Sequence, residues 1–154
     1  MSGFPERPGR VLPTPVGLNA EFYERAATTG RLHFQRCDAC GRWRHPPRFR
    51  CAGCGSELWS WSPASGRGRV FSWTVTHRPV DPAFAAELPY AVLVVEMDEG
   101  VRVVGSLIGL PPGQLELDLP VVAELEIVAA EVALVHFRPV GPSPGPGIPT
   151  AAVD

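Results

Sequence analysis

Four cysteines in two pairs constrain this chain more than any other feature. They stand as Cys37-Asp38-Ala39-Cys40-Gly41 and Cys51-Ala52-Gly53-Cys54-Gly55, with ten residues between the pairs. A C-x2-C turn brings two thiolates within reach of one tetrahedral ion at ~2.3 Å. The glycine after each pair lets the backbone turn where a Cβ would obstruct it. Four thiolates close the coordination shell and leave no position for a reacting water, so such a site is structural rather than catalytic. Two other uses of the cysteines fit less well. Disulfides need an oxidising compartment, and residues 1–6 show no charged stretch followed by an apolar one that would direct export. A thioredoxin-type redox motif uses one pair beside a βαβ unit, and this sequence offers two pairs and no such pattern. The gap between the pairs is shorter than in many zinc modules, and iron also accepts C-x2-C pairs. One structural zinc ion on Cys37, Cys40, Cys51 and Cys54 is the expected cofactor, and its binding would supply the folding energy of a module too small to hold a core.

The rest of the chain is organised around this ribbon. Residues 1–17 carry Pro5, Pro8, Pro13 and Pro15 and read as an extended arm. A helix is expected to follow, capped by Asn19, with Glu21 and Glu24 in its first turns and Gly30 as its stop. Phe22, Tyr23, Ala26 and Ala27 form one apolar stripe on it, for packing on the rest of the protein or on a partner chain. Beyond the cysteines the pattern becomes β. Five short strands are expected at 69–77, 90–97, 101–108, 121–128 and 132–138, the second and third joined by Asp98-Glu99-Gly100 as a hairpin. In the fourth, Glu124 and Glu126 fall on one side and Ala123, Leu125 and Ile127 on the other. Five strands in so short a stretch suggest a small closed barrel such as an OB-fold, with an open sandwich as the alternative. The expected fold is therefore mainly β: a helix plus zinc ribbon at 18–64, a five-stranded barrel at 65–139, and a flexible Pro/Gly tail at 140–154. The longest apolar run, 90–95, falls far short of the ~20 residues of a spanning helix, so no membrane partner and a cytoplasmic location are expected.

Charge divides sharply along the chain. Residues 25–78 hold ten arginines against Asp38 and Glu57, whereas residues 79–154 hold Arg102 and Arg138 against eleven acids. Such a division suggests a face for an anion or an acidic partner, or simply two solvated surfaces of opposite sign. The segment between the cysteine pairs, Arg42-Trp43-Arg44-His45-Pro46-Pro47-Arg48-Phe49-Arg50, alternates guanidinium groups with aromatics. Guanidinium binds phosphate in a bidentate way and the aromatics can stack on a base. The competing reading packs Trp43 and Phe49 on the barrel and turns the arginines to water.

These residues carry a resemblance. Gly30-Arg31-Leu32, Gln35-Arg36-Cys37, Cys40-Gly41, Pro46-Pro47-Arg48 and Cys51 to Cys54-Gly55 are followed by Gly66-Arg67-Gly68-Arg69-Val70-Phe71-Ser72-Trp73-Thr74. Leu88-Pro89-Tyr90, the hairpin from Glu96 to Gly100 and the closing Phe137-Arg138-Pro139 complete the set. Together they resemble the acyl-CoA-associated zinc-ribbon plus OB-fold family, once catalogued as a domain of unknown function, over residues ~18–139 and in the same order. The resemblance implies a rubredoxin-like ribbon, an OB barrel and a non-catalytic accessory role. Members are similar to subunits that sit beside thiolase-fold acyltransferases, synthases and steroid side-chain aldolases; others pair with hot-dog-fold hydratases. It implies acyl-CoA as a ligand shared with the partner in a hetero-oligomer. The sequence departs from the family at Asp118-Leu119-Pro120-Val121, where a glycine is expected before the fourth strand, which puts the local turn in question.

No catalytic residue is expected. His33, His45, His77 and His136 lie in four separate segments without a carboxylate or nucleophile at recognisable spacing, and Ser65 and Ser72 lack a nucleophile-elbow context. Arg42, Arg44, Arg48 and Arg50 are the candidates for contact with coenzyme A or a partner, with His77 at a barrel mouth as a further one. Two other functions compete. A nucleic-acid-binding module would use the same two folds, but the barrel half is acidic and offers few stacking aromatics, so nucleic acid is not the expected partner. A free-standing thioester enzyme is the remaining reading.

Overall fold

The computed structural model describes Phe4 and residues 9–141; the expected Pro/Gly tail, apart from Val140 and Gly141, and much of the arm lie outside the described residues. Helix α1 runs Leu18–Thr29. It is followed by three strands, β1 His33–Cys37, β2 Trp43–Arg44 and β3 Trp59–Pro63, which pair antiparallel in the order β2-β1-β3. Five strands then close a barrel: β4 Arg67–Thr76, β5 Tyr90–Met97, β6 Arg102–Leu107, β7 Pro120–Ala129 and β8 Val132–Pro139. Their order round the barrel is β4-β5-β6-β8-β7, antiparallel throughout except for the parallel pair β6 and β8. That closure matches the expected mainly β architecture with a five-stranded OB-like barrel, and it leaves the barrel without open edges.

Alternation explains the core. In β5 the side chains of Ala91, Leu93, Val95 and Met97 point inward and are buried, as period two demands of a strand with one face on a core. Phe137 and Val70 join them from β8 and β4, and Phe34 and Leu32 extend the same core into the ribbon. Gly105 in β6 leaves room for the ring of Phe137: a Cβ there would lie 2.7 Å from the ring and from the Val135 carbonyl oxygen.

Helix α1 ties the two parts together. Phe22, Ala26 and Ala27 are buried and Tyr23 packs beside them, so the apolar stripe lies against this chain's own core. Ala26 and Ala27 pack on Ala133 of β8, and Trp61 of β3 donates from its indole to Glu21 at 2.9 Å. Gly30 ends the helix, its N–H bonded to the Ala26 carbonyl. The start differs from expectation. Gly17 occupies the N-cap position with no side-chain cap, and Asn19 lies inside the first turn. The backbone bends at a glycine two residues earlier than the side-chain signal suggested.

Two barrel details also depart from the pattern. Ile127 is 53% exposed and Glu126 only 8% exposed, the reverse of what the alternation of apolar and acidic residues suggests. The turn before β7 forms without the expected glycine. Asp118 itself adopts φ 61°, the one positive-φ residue other than glycine among the described residues. Aspartate tolerates this region better than most side chains. The turn is braced by Asp118 N–H on the Val70 carbonyl at 2.9 Å, by Val70 N–H on the Leu119 carbonyl at 3.0 Å, and by Arg69 on the Asp118 carbonyl at 3.1 Å.

Candidate metal centre and arginine cleft

The two cysteine pairs fold into matching knuckles. In the first, Gly41 N–H donates to the Cys37 carbonyl at 2.8 Å and Cys37 N–H to the Arg42 carbonyl at 2.9 Å. In the second, Gly55 N–H donates to the Cys51 carbonyl and Cys51 N–H to the Ser56 carbonyl, both at 2.9 Å. Gly41 and Gly55 stand at φ 74° and 75°, which is why a glycine follows each pair. The turns converge the four sulfurs. Every pair of them lies within 4.8 Å, with Cys37 to Cys54 and Cys40 to Cys51 at 3.6 Å. A tetrahedral zinc with sulfur at ~2.3 Å requires sulfur–sulfur edges of roughly 3.8 Å, so the donor set fits such an ion in type and in size.

The electrostatics agree. The Cys54 and Gly53 N–H groups pull the Cys51 thiol down to about 6. The Cys40 N–H holds Cys37 below its ordinary value. At Cys54 the Ser56 N–H pulls downward, but the crowding sulfurs of Cys40 and Cys37 prevail and push the thiol up to about 11. Thiols packed this closely cannot all ionise unless a cation joins them. A bound ion would make all four thiolates and lock the ribbon to its own loops.

Between the knuckles, the arginine loop is held from inside. Arg44 is 5% exposed and donates from Nη1 to the Arg48 carbonyl at 3.0 Å, while Arg48 N–H donates to Gln35 Oε1 at 2.8 Å. The two buried side chains grip the same residue's backbone from both sides. Arg44 also lies over the Trp59 ring at 5.2 Å. Its Nε and Nη2 find no hydrogen-bond partner among the described residues. Arg42 lies along Gly53, where a Cβ would sit 2.8 Å from its Nε.

Arg42, Arg44 and Arg48 line one cleft of about 440 Å³ between the ribbon and the β5–β6 hairpin. Arg102 of β6 faces them across it, paired with Glu96 at 3.3 Å and stacked on Phe71 at 3.6 Å. Arg50 is not among its lining residues: it points to solvent and pairs with Glu57 at 2.6 Å. His77 lies exposed just past the end of β4, at the opposite end of the β4–β5 pair from the hairpin. Three of the five predicted contact residues therefore meet. Arg102 was missed, because only the fold brings a barrel strand against the ribbon.

A second cavity, of about 570 Å³, runs along the outer wall of β6 and β8 beneath the arm and α1. His136, 1% exposed, borders it and meets Glu126 Oε2 through Nε2 at 2.8 Å, with Phe4 stacked on the ring at 4.7 Å. No spacing along the chain links these two residues. The β7–β8 register, which pairs Glu124 with His136, places Glu126 diagonally next to it. Where the ribbon meets both cavities sits His45, its ring 4.9 Å from Phe22 and 5.2 Å from Phe34. Burial lowers its pKa to about 4.

Comparison with known proteins supplies a frame. Residues 25–60 match the model of the ChsH2 rubredoxin-like zinc ribbon domain, and residues 61–126 that of the ChsH2 C-terminal OB-fold domain. The chain is 41% identical over 138 residues to a probable enoyl-CoA hydratase alpha subunit of Thermomonospora curvata, covering 89% of this chain and 43% of that protein. It is 30% identical over 90 residues to a DUF35 domain-containing scaffold protein of Methanocaldococcus jannaschii, covering 57% of this chain and 62% of the relative. The chain thus spans less than two thirds of the length of these curated relatives. Among solved structures, the Ltp2-ChsH2(DUF35) aldolase contains a chain that superposes with a TM-score of 0.74 at 43% identity, covering 83% of this chain and 98% of that one. No helix among the described residues is long and apolar enough to cross a membrane.

Proposed function

The chain belongs to the ChsH2 (DUF35) family of zinc-ribbon plus OB-fold proteins, and from that premise we propose that it is a non-catalytic accessory subunit. In this reading it joins a thiolase-fold enzyme as a hetero-oligomer and helps hold that enzyme's acyl-CoA substrate. The observation that carries the reading is the near-complete match, at 43% identity, to a chain of an aldolase named for two components. The site chemistry supports it. In this reading the four cysteines, their sulfurs within 4.8 Å of one another, hold one structural zinc ion and leave no thiolate for acyl transfer. The cleft offers charge for phosphates rather than a nucleophile with its base.

Co-expression with a thiolase-fold subunit, followed by affinity capture of one chain and size-exclusion chromatography, tests the proposal. A single peak holding both chains in fixed ratio is expected. Two chains that elute apart at moderate salt would refute it. The second reading, a partner of hydratase type, is favoured by the likeness to the hydratase alpha subunit, of which this chain spans 43%. The same capture with a hot-dog-fold hydratase subunit decides between them. A nucleic-acid-binding module is disfavoured by the eleven acids of residues 79–154, which would repel a phosphate backbone from the barrel.

A further inference from the structure

The arginine cleft and the groove beneath the arm are neighbours: His45, Pro46 and Arg102 line both. Their far ends differ in chemistry. One end presents Arg42, Arg44 and Arg48 to the cleft, with Glu96 as the opposing carboxylate. Arg44 is buried there with two nitrogens lacking partners among the described residues. The other end is bordered by Tyr23, Val104, Leu134 and Val135 and stops at His136. The span between them follows from the strands. Ser106 stands opposite His136 in the β6–β8 register and four residues along from Arg102. At ~3.3 Å per residue that is roughly 13 Å of extended wall. Clustered guanidinium groups select phosphates, and a half-apolar groove leading away from them suits an uncharged chain.

We infer that the two cavities form one trough for an elongated thioester of coenzyme A type, its phosphates among Arg42, Arg48 and Arg102 and its uncharged arm laid along β6 toward His136. The inference rests on the acyl-CoA reading above and adds a site, a direction and the barrel residue Arg102. It also separates the roles of the arginines: Arg44 holds the loop and lends charge from behind, whereas Arg50, tied to Glu57 outside the cleft, takes no part.

Calorimetric titration of the purified, zinc-replete full chain tests it with three probes: coenzyme A, adenosine 3′,5′-diphosphate for the head alone, and pantetheine for the arm alone. Coenzyme A should bind at least tenfold tighter than either fragment. Arg48→Ala and Arg102→Ala should each weaken coenzyme A and the diphosphate about tenfold and leave pantetheine unchanged. Val104 is 62% exposed on the groove wall, so Val104→Trp adds bulk without disturbing the core. It should weaken coenzyme A and leave the diphosphate unaffected. Arg50→Ala should change nothing. Equal affinity for coenzyme A and the diphosphate, or a Val104→Trp variant that binds like the parent, would overturn the continuous trough. No heat with any probe, while the chain still co-purifies with its thiolase-fold partner, would overturn this inference and leave the accessory role standing. Binding as described by a chain that fails to co-purify with any thiolase-fold subunit would leave this inference standing and overturn the accessory role.

Discussion

Lowering the pH should reveal His45 as a stability switch at the junction of helix, ribbon and barrel. The ring is packed against Phe22 and Phe34, and burial lowers its pKa from 6.5 to about 4. The charged groups lining the cavities it shares are Arg10, Arg42, Arg44, Arg48 and Arg102 against Glu96 alone, an environment that also opposes a second positive charge. The native state therefore keeps the imidazole neutral, while the unfolded chain takes up a proton below pH 6.5. Stability is complete above that value and is lost as pH falls toward 4. Each pH unit in the window costs about 1.4 kcal/mol, so His45 alone should remove about 2 kcal/mol by pH 5 and about 3 kcal/mol by pH 4. Urea denaturation of the parent and of His45→Phe, at intervals from pH 7.5 to 4.5, isolates the effect. Metal loss and other titrations enter both proteins, so the difference between the two curves carries the prediction. The variant should gain on the parent steadily below pH 6.5 and reach an advantage of about 2 kcal/mol at pH 5, relative to pH 7.5. Curves that stay parallel across the range would refute the assignment of a neutral, half-buried His45.

Three further outcomes follow from the geometry. Gly105→Ala forces a Cβ to 2.7 Å from the Val135 carbonyl and the Phe137 ring, and should cost about 2 kcal/mol in urea denaturation. Asp118→Val places a β-branched side chain at φ 61° and should cost about 1–2 kcal/mol, whereas Asp118→Gly should be neutral or slightly stabilising in the same assay. Cys40→Ser removes one of four sulfurs that lie within 4.8 Å of one another. Zinc content by elemental analysis should fall from about one ion per chain, and tryptophan emission from the ribbon should shift as its loops loosen.

Much of the fold was legible because its signals are local. A C-x2-C-G knuckle carries its own turn, and both formed where the pattern stands. Strand β5 follows period two closely enough that its expected bounds, 90–97, coincide with Tyr90–Met97. What escaped depends on contacts between distant segments. Glu126 reads as one of two acids on the same strand face, and only the pairing of β7 with β8 sets it beside His136. Arg44 reads like its neighbours Arg42 and Arg48. It is buried because the ribbon is too small to fill its interior with apolar groups and uses Gln35 and Arg44 to satisfy the Arg48 backbone. Arg102 is remote from the arginine loop along the chain and enters the cleft only because the β5–β6 hairpin packs against the ribbon.

In the proposed role this chain does no chemistry alone and completes an acyl-CoA-processing partner. Turnover of a panel of acyl-CoA thioesters, measured with the chain, with a thiolase-fold subunit and with the two together, decides whether it does. Conversion should appear with the assembled pair, at a rate well above that of the partner alone, and none with this chain by itself. Turnover by the isolated chain, or a partner whose rate is unchanged when the chain is added, would contradict it.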